Sequence, residues 1–175
     1  DEDTASMAFR AAMTGHQVFS TLHTNSALGS IPRLLDIGVK PDIISGNIIG
    51  IIAQRLIRSL CTACKVPYSL GDMERTLLGL KVTDKQKEIY NATGCDVCGN
   101  DGYKGRIALQ EVLHFDTDMD ELIARKGTQR DLLRMALSKG FSTLADVGAR
   151  RVLDGTTSLE EMSRVIDLTA RLKTS

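Results

Sequence analysis

Residues 14–37 read TGHQVFSTLHTNSALGSIPRLLDI, and this stretch decides the fold class. The run 17–22 is rich in β-branched and aromatic residues and lies between polar turns, which predicts a strand. Residues 27–37 place their apolar side chains on one face and end at Gly38, which predicts a helix. A strand, a polar turn and a helix in this order indicate an α/β protein.

Further elements extend this pattern in both directions. Residues 4–14 are rich in Ala and Met and predict a helix, and Pro41 suits the first turn of another. The apolar run 48–57 is compatible with a buried helix or a buried strand. We favour a strand after Gly50, because residues 106–113 alternate as a pairing strand would.

Residues 116–175 have a helical pattern with regular start and stop signals. Three Ser or Thr residues are each followed, three positions later, by an acidic residue, which is the spacing of a capping box. These pairs are Thr128 with Asp131, Thr143 with Asp146 and Ser158 with Glu161. The pattern predicts a C-terminal helical bundle. Its many charged residues most simply cover solvated helix faces, and a docking surface is the alternative.

The composition excludes several classes of protein. With 42% hydrophobic and 25% charged residues, the chain of 175 residues is typical of folded globular proteins. Its 22 basic and 22 acidic residues balance along the chain, which argues against a nucleic-acid partner. The longest nearly apolar stretch, residues 43–53, is far shorter than the ~18 residues of a membrane span. The chain begins without Met and without a secretory segment, so we expect it to be part of a longer protein.

The four cysteines form two C-x-x-C pairs, Cys61 with Cys64 and Cys95 with Cys98. Two such pairs supply the four thiolates of a tetrahedral zinc site, and four protein ligands leave no vertex for water, so the site is structural. The intervening residues are more numerous than is usual between such pairs, but they contain helical patterns at 72–78 and 83–90.

Two other roles for the cysteines are a pair of disulfides and a redox C-x-x-C motif. Zinc is favoured over both, because the sequence has neither a secretory segment nor a thioredoxin-like pattern. The glycines around the second cysteine pair fit tight backbone turns. They form no G-x-G-x-x-G motif and therefore do not indicate a dinucleotide site.

Two histidines flank the predicted strand 17–22. The seven-residue spacing of His16 and His23 does not match a helical metal motif, and His16 is more simply a turn residue or a hydrogen-bonded cap. His23 is the better candidate, because it follows a predicted strand and precedes a predicted helix, where open α/β folds bind ligands and anions. Thr24, Asn25 and Ser26 add hydroxyl and amide groups at the same turn, and the alternative is that one of them only caps the helix.

The chain resembles the secretion ATPases that power type II secretion and type IV pilus assembly. Residues 14–25 resemble the histidine box of that family, and the two C-x-x-C pairs resemble the tetracysteine zinc element of its extension-type members, which retraction-type members lack. The resemblance continues at residues 33–38, 53–56, 94–98, 102–106, 111–113, 140–144 and 155–161. It covers essentially the whole chain.

This resemblance implies a division into four segments. Residues 1–60 would be the C-terminal part of a RecA-like P-loop ATPase core, and residues 61–105 a zinc-binding tetracysteine insertion. Residues 106–115 would be a returning core strand, and residues 116–175 the C-terminal helical subdomain.

The resemblance also implies roles for individual residues. His23 would sense the γ-phosphate of ATP, with Thr24 and Asn25 close to it, and His16 would support the turn. Cys61, Cys64, Cys95 and Cys98 would hold structural zinc. ATP and Mg²⁺ would bind the longer parent protein.

This sequence lacks two catalytic elements of the secretion ATPase family. It contains no Gly-x-x-x-x-Gly-Lys-Ser/Thr motif, and the catalytic Glu of the Walker B region would precede Asp1. Phosphoryl transfer depends on positioning by such groups, so we expect the chain alone to be inactive.

The implied parent is a homohexamer at the cytoplasmic face of the inner membrane, working with platform proteins in pilus or pseudopilus assembly. The sequence does not separate secretion from pilus assembly. A non-enzymatic zinc-stabilised interaction module is the alternative. A zinc-ribbon nucleic-acid binder is a weaker one, because the charge is balanced and aromatic residues are few.

Overall fold

The computed structural model describes residues 1–81, 83–86 and 88–168, and it confirms a mixed α/β protein. The helices are α1 (Glu2–Met13), α2 (Ser30–Asp36), α3 (Pro41–Ile44), α4 (Asp72–Leu78), α5 (Thr117–Ala124), α6 (Gln129–Ser138), α7 (Leu144–Leu153) and α8 (Leu159–Val165). The strands are β1 (Gly50–Leu60), β2 (Val66–Ser69), β3 (Glu88–Asn91) and β4 (Tyr103–His114). Among the residues that the structure describes, no helix is long and apolar enough to cross a membrane.

The chain forms two compact units, described here one at a time. Unit 1 comprises Asp1–Ala53 and Glu111–Ser142, and unit 2 comprises Gln54–Gln110 and Thr143–Ser175. These units are defined by contacts, whereas the four segments expected above are defined by sequence resemblance. The four-segment division stays a prediction.

Unit 1 has a helical core. Helix α5 packs against both α3 and α6. Each of the three helices has buried apolar residues, namely Ile44 in α3, Met119 and Ile123 in α5, and Leu132 and Ala136 in α6. Fully or nearly buried side chains fill the space between the elements, namely Leu28, Ile31, Leu34, Ile44, Leu113, Phe115, Met119, Ile123 and Leu132. Of the apolar face predicted for residues 27–37, Leu28, Ile31 and Leu34 lie in this core, whereas Leu35 is 39% exposed.

The predicted strand 17–22 is wrong in this structure. Those residues are irregular and exposed, with Phe19 87% accessible. A strand is held by hydrogen bonds to a neighbouring strand, and none of the strands in the described residues pairs with this segment. The β-branched and aromatic residues of this segment favour an extended backbone, but a strand forms only where a second strand pairs with it.

The predicted helix 27–37 is shorter than expected, because α2 begins only at Ser30. Proline has no N–H and is accepted in the first turn of a helix, where no intrahelical donor is required. Starting at Ser30 puts Pro32 in that first turn, whereas a start at Ala27 would put it further inside. The predicted helices at residues 4–14 and at Pro41 are confirmed as α1 and α3.

The two long strands are confirmed, since β1 pairs with β4. The residues between them contain the second sheet, in which β2 and β3 pair antiparallel with Val66 opposite Asn91. The predicted helix 83–90 is wrong where it overlaps β3, and Val82 and Lys87 lie outside the described residues. Pairing with β2 and complete burial of Ile89 favour the strand over the helical pattern.

Unit 2 has its own apolar core between α4, α7, α8 and β3. Its buried residues are Leu78, Ile89, Ala149, Val152, Leu159, Met162 and Leu168. Gly148 allows α8 to approach α7 closely, because a Cβ at this position would lie 2.6 Å from Cε of Met162. The two helices are therefore packed tightly around Met162.

The predicted helix starts in residues 116–175 are confirmed. The hydroxyls of Thr128, Thr143 and Ser158 accept hydrogen bonds from the backbone N–H three residues later, at 3.2, 3.2 and 3.0 Å. These helices do not share one unit, since α5 and α6 belong to unit 1 and α7 and α8 to unit 2.

Candidate metal centre and histidine turn

The structure brings the four cysteines of unit 2 together. Their Sγ atoms all lie within 4.8 Å of one another. The Sγ atoms of Cys61 and Cys95 are 3.9 Å apart, and those of Cys64 and Cys98 are 3.8 Å apart. A tetrahedron with Zn–S bonds of about 2.3 Å has S···S edges of about 3.8 Å. The donor set therefore fits a tetrahedral Zn²⁺ ion.

Each cysteine pair lies on a tight turn that points both thiols the same way. In the first turn, Lys65 N donates to the carbonyl of Cys61 at 3.0 Å. The second turn is a short 3₁₀ helix, Asp96–Cys98, which ends at Gly99 with a φ of 63°. That left-handed conformation is accessible to glycine without strain, so this residue permits the turn.

Burial and hydrogen bonds from backbone N–H groups shift the pKa values of the two thiols in the second cysteine pair. Burial alone would raise the pKa of Cys98, but the N–H groups of Cys95 and Gly102 donate to its Sγ and lower the pKa to about 7. Burial raises the pKa of Cys95 to about 11. Because its pKa is the lower of the two, Cys98 is the more readily deprotonated thiol of this pair. Metal ligation requires thiolates, so this shift favours it as a ligand.

The structure forms neither of the two disulfides that the sequence left as an alternative. All four thiols are free, and their Sγ separations far exceed the roughly 2.05 Å of a disulfide bond. Four ligands would complete the coordination of zinc and leave no position for substrate or water. The site therefore suits a structural metal ion that joins residues near the end of β1 to those before β4.

A buried carboxylate lies in the same unit. The side chain of Glu161, in α8, is 0% exposed and contacts two arginines. Its Oε2 accepts from Nε of Arg58 at 2.9 Å, and its Oε1 accepts from Nη2 of Arg164 at 2.8 Å. Burial alone would raise the pKa of Glu161, but hydrogen bonds from Arg164 and Arg58 lower it to about 2. We call Glu161, Arg58 and Arg164 the Glu161 network.

The Glu161 network connects α8 to both long strands within unit 2. The backbone N–H of Arg58, in β1, also donates to Glu161 at 3.0 Å. The guanidinium of Arg58 lies 4.0 Å from the ring centre of Tyr103, and Tyr103 Oη lies 2.6 Å from Ser158 Oγ. The sequence identified Glu161 only as part of a capping box, and no local pattern pointed to its distant partner Arg58.

The pKa of Glu161 predicts a loss of stability in acid. The carboxylate has a folded-state pKa near 2 and an unfolded value of 4.5, so its contribution is complete above the unfolded value and is lost as pH falls towards 2. We expect unit 2 to lose about 3 kcal/mol of unfolding free energy from this group between about pH 7 and about pH 2. Urea unfolding of the wild type and of Glu161→Gln across this range measures it. An equal decline in both proteins would contradict the prediction.

The two histidines both lie in unit 1 and are exposed. Nδ1 of His16 lies 3.1 Å from Oγ1 of Thr14, and the backbone N–H of His16 donates to the carbonyl of Ala11 at 3.1 Å. His16 thus takes part in the end of α1, as expected of a turn residue. His23 lies at the start of a segment, residues 23–30, that we call the histidine turn.

The histidine turn is held by hydroxyl contacts. Thr24 Oγ1 lies 2.8 Å from Ser30 Oγ, and Gly29 N donates to Ser26 Oγ at 3.1 Å. The buried Glu111 also contacts this turn by accepting from the backbone N–H of Ala27. Sequence alternation placed Glu111 on one face of its strand with Leu109, but it did not reveal the contact with Ala27.

The family model described as "Type II/IV secretion system protein" matches residues 1–164. The chain belongs to this family. The match covers the histidine turn and all four cysteines, and it confirms the resemblance seen in the sequence.

Several named members of the type II/IV secretion system family are similar to this chain. It is 43% identical over 165 residues to type II secretion system protein E of Pseudomonas aeruginosa, covering 94% of this chain and 32% of that protein. It is 42% identical over 173 residues to the type IV pilus assembly ATPase TfpB of Acinetobacter baylyi, and the match covers 97% of this chain and 29% of that protein. It is 40% identical over 169 residues to the type IV pilus assembly ATPase PilB of Thermus thermophilus, and the match covers 95% of this chain and 19% of that protein. The chain spans about a third or less of the length of these relatives.

Proposed function

We propose that this chain is the C-terminal part of a hexameric ATPase that couples ATP hydrolysis to pilus or pseudopilus assembly in type IV pilus or type II secretion systems. The observation that carries the proposal is the family match over residues 1–164, with relatives named as ATPases of both systems. Because this chain covers a minor part of those relatives, hydrolysis is a property of the longer parent protein.

In this proposal the segments keep the roles given by the resemblance. Residues 1–60 and 106–115 belong to a RecA-like core, residues 61–105 carry structural zinc, and residues 116–175 form the C-terminal helical subdomain. The tetrahedral Sγ arrangement supports the zinc assignment. A structural ion would hold the two cysteine turns together and take no part in phosphoryl transfer.

The histidine turn would form part of the nucleotide site in the parent. His23 would contact the γ-phosphate of ATP, with Thr24 and Asn25 close to it and Mg²⁺ held by residues outside this chain. His16 would support the end of α1 through its contact with Thr14. The exposure of His23 supports this role, because a side chain that meets a phosphate must be accessible.

Substitution of His23 tests the proposal. In the full-length parent, we expect His23→Ala to leave ATP binding within about threefold of wild type and to reduce kcat by at least about a hundredfold, as for loss of a group that contacts the reacting phosphate. A coupled ATPase assay and nucleotide titration measure both effects. His114→Ala, a matched change at an exposed histidine, is expected to keep wild-type turnover. This chain alone, which has no P-loop, serves as the inactive background.

Retained turnover in His23→Ala would contradict the role of that histidine. Absence of ATPase activity from the wild-type parent would contradict the enzyme proposal itself and favour a zinc-stabilised interaction module. The zinc-stabilised interaction module is retained as a second candidate function because this sequence has no P-loop motif. By the main proposal, the parent works at the cytoplasmic face of the inner membrane with platform proteins of the assembly machinery.

A further inference from the structure

Glu111 occupies a position on β4 where the pattern of burial calls for an apolar residue. Alternate residues of the strand are buried, and Leu109 and Leu113 are 0% and 1% exposed. Glu111, between them in sequence and on the same face, is 3% exposed. A buried carboxylate is costly to desolvate unless hydrogen bonds compensate it. Its presence calls for a specific partner.

One partner of Glu111 is the backbone of the histidine turn. Oε1 of Glu111 accepts a hydrogen bond from the N–H of Ala27 at 2.5 Å, across 84 positions of sequence. Ala27 itself is fully buried, so its N–H has no access to water. A buried donor left without a partner is costly, so the hydrogen bond from Ala27 to Glu111 stabilises the turn.

The contact fixes the middle of a turn whose two ends are already linked. Thr24 and Ser30 are joined through their hydroxyls, and the Ser30 side chain is buried. Ala27 lies between them, four positions after His23, and is joined to β4 through Glu111. The backbone that follows His23 is therefore attached to the part of β4 that belongs to unit 1.

We propose that Glu111 is a positioning residue, which holds the histidine turn against β4 so that His23 and Thr24 are presented in a fixed place. This inference rests on the proposed function, because it assigns Glu111 to the same nucleotide site. Glu111 acts through the backbone of Ala27 and does not itself contact the nucleotide. Small displacements of a group that contacts a reacting phosphate lower turnover more than binding.

The test uses the full-length parent with two substitutions of Glu111. Glu111→Met keeps much of the side-chain volume and removes the acceptor, whereas Glu111→Gln keeps an oxygen that can accept from Ala27. We expect Glu111→Met to lower kcat at least about tenfold with the KM for ATP within about threefold, and Glu111→Gln to restore most of the turnover. Glu121→Met, the same change at an exposed carboxylate of α5, is the matched control and is expected to behave as wild type.

Hydrogen–deuterium exchange in the same proteins gives a readout that is independent of activity. The peptide covering residues 24–30 is expected to exchange at least about tenfold faster in Glu111→Met, while peptides from α8 are unchanged. If Glu111→Met does not fold, Glu111→Asp replaces it, since a side chain one methylene shorter draws the carboxylate away from Ala27.

Three results would overturn the inference. The first is wild-type exchange in the residue 24–30 peptide of the variant, and the second is faster exchange with unchanged kcat. The third is an equal loss in Glu111→Met and Glu111→Gln, because the retained amide oxygen would then have restored nothing. A wild-type parent without ATPase activity would contradict the proposed function and this inference with it, whereas the first three results contradict this inference alone.

Discussion

Removal of zinc from the four-cysteine site is expected to unfold the cysteine-bearing part of unit 2. The Sγ atoms of the four cysteines lie within 4.8 Å of one another, and three of the Sγ pairs, at 3.8–3.9 Å, match the edge of a tetrahedral zinc complex. The two turns that carry them contribute few buried apolar side chains. Structural zinc supplies about 10–16 kcal/mol in small zinc-binding peptides. We expect chelation to cost unit 2 at least about 5 kcal/mol of unfolding free energy.

The experiment combines metal analysis with chemical unfolding. Purified protein is expected to contain about one zinc per chain, the amount that one closed tetrahedral site takes. Cys64→Ser removes one ligand and is expected to behave as the chelated protein does. Thr62→Ser, a similarly small change at an exposed residue between two ligands, is the matched control and is expected to retain the metal.

Hydrogen exchange shows where the effect lies. Residues of β2 and β3 should lose protection after chelation, whereas the α5 and α6 peptides of unit 1 should keep theirs, because each unit has its own core. Zinc far below one per chain in folded protein, with the wild-type unfolding midpoint kept after chelation, would contradict the structural site.

Replacement of Glu161 by Ala is expected to destabilise unit 2 by about 3–5 kcal/mol, the usual cost of breaking a buried ion pair. The change leaves Nε and the backbone N–H of Arg58 without their acceptor, although the guanidinium keeps its ion pair with Asp101. It also removes the contact that ties α8 to β1. Urea unfolding at about pH 7, where the carboxylate is fully ionised, measures the loss. Glu160→Ala, at the exposed neighbouring position of the same helix, is the matched control.

A double substitution separates the ion pair from simple packing. Replacing Arg58 and Glu161 together by Met removes the buried carboxylate and its partly exposed partner. Exchange of a buried ion pair for apolar residues is often neutral or stabilising. We expect the double variant to recover more than half of the stability lost in Glu161→Ala. A double variant as unstable as the single one would show that the charge of Arg58 is not the source of the loss, and a single variant as stable as Glu160→Ala would contradict the prediction itself.

Features that depend on neighbouring residues were predicted from the sequence better than features that depend on distant ones. The capping residues Thr128, Thr143 and Ser158 were predicted correctly, because each contacts a backbone N–H only three residues away. The strands β1 and β4 were also predicted, since their apolar patterns persist over many residues. Residues 17–22 and the strand at 88–91 were misassigned, because the presence or absence of a pairing strand decides both.

The candidate sites divide in the same way. The spacing of the cysteines predicted one cluster of four, and the structure places them together. His16 and His23 were identified, but their catalytic roles stay proposals. Glu111 and Glu161 were not identified as buried partners of Ala27 and Arg58, because those partners are 84 and 103 positions away in the chain.

By itself, the sequence determined the family, the grouping of the four cysteines and most helix boundaries. These features depend on residue type and short spacing, which are fixed before the chain folds. The tertiary structure alone decided which carboxylates are buried, which segments pair as strands and where the histidine turn is anchored. Those features depend on residues that only folding brings together, where burial makes each hydrogen bond between distant groups necessary.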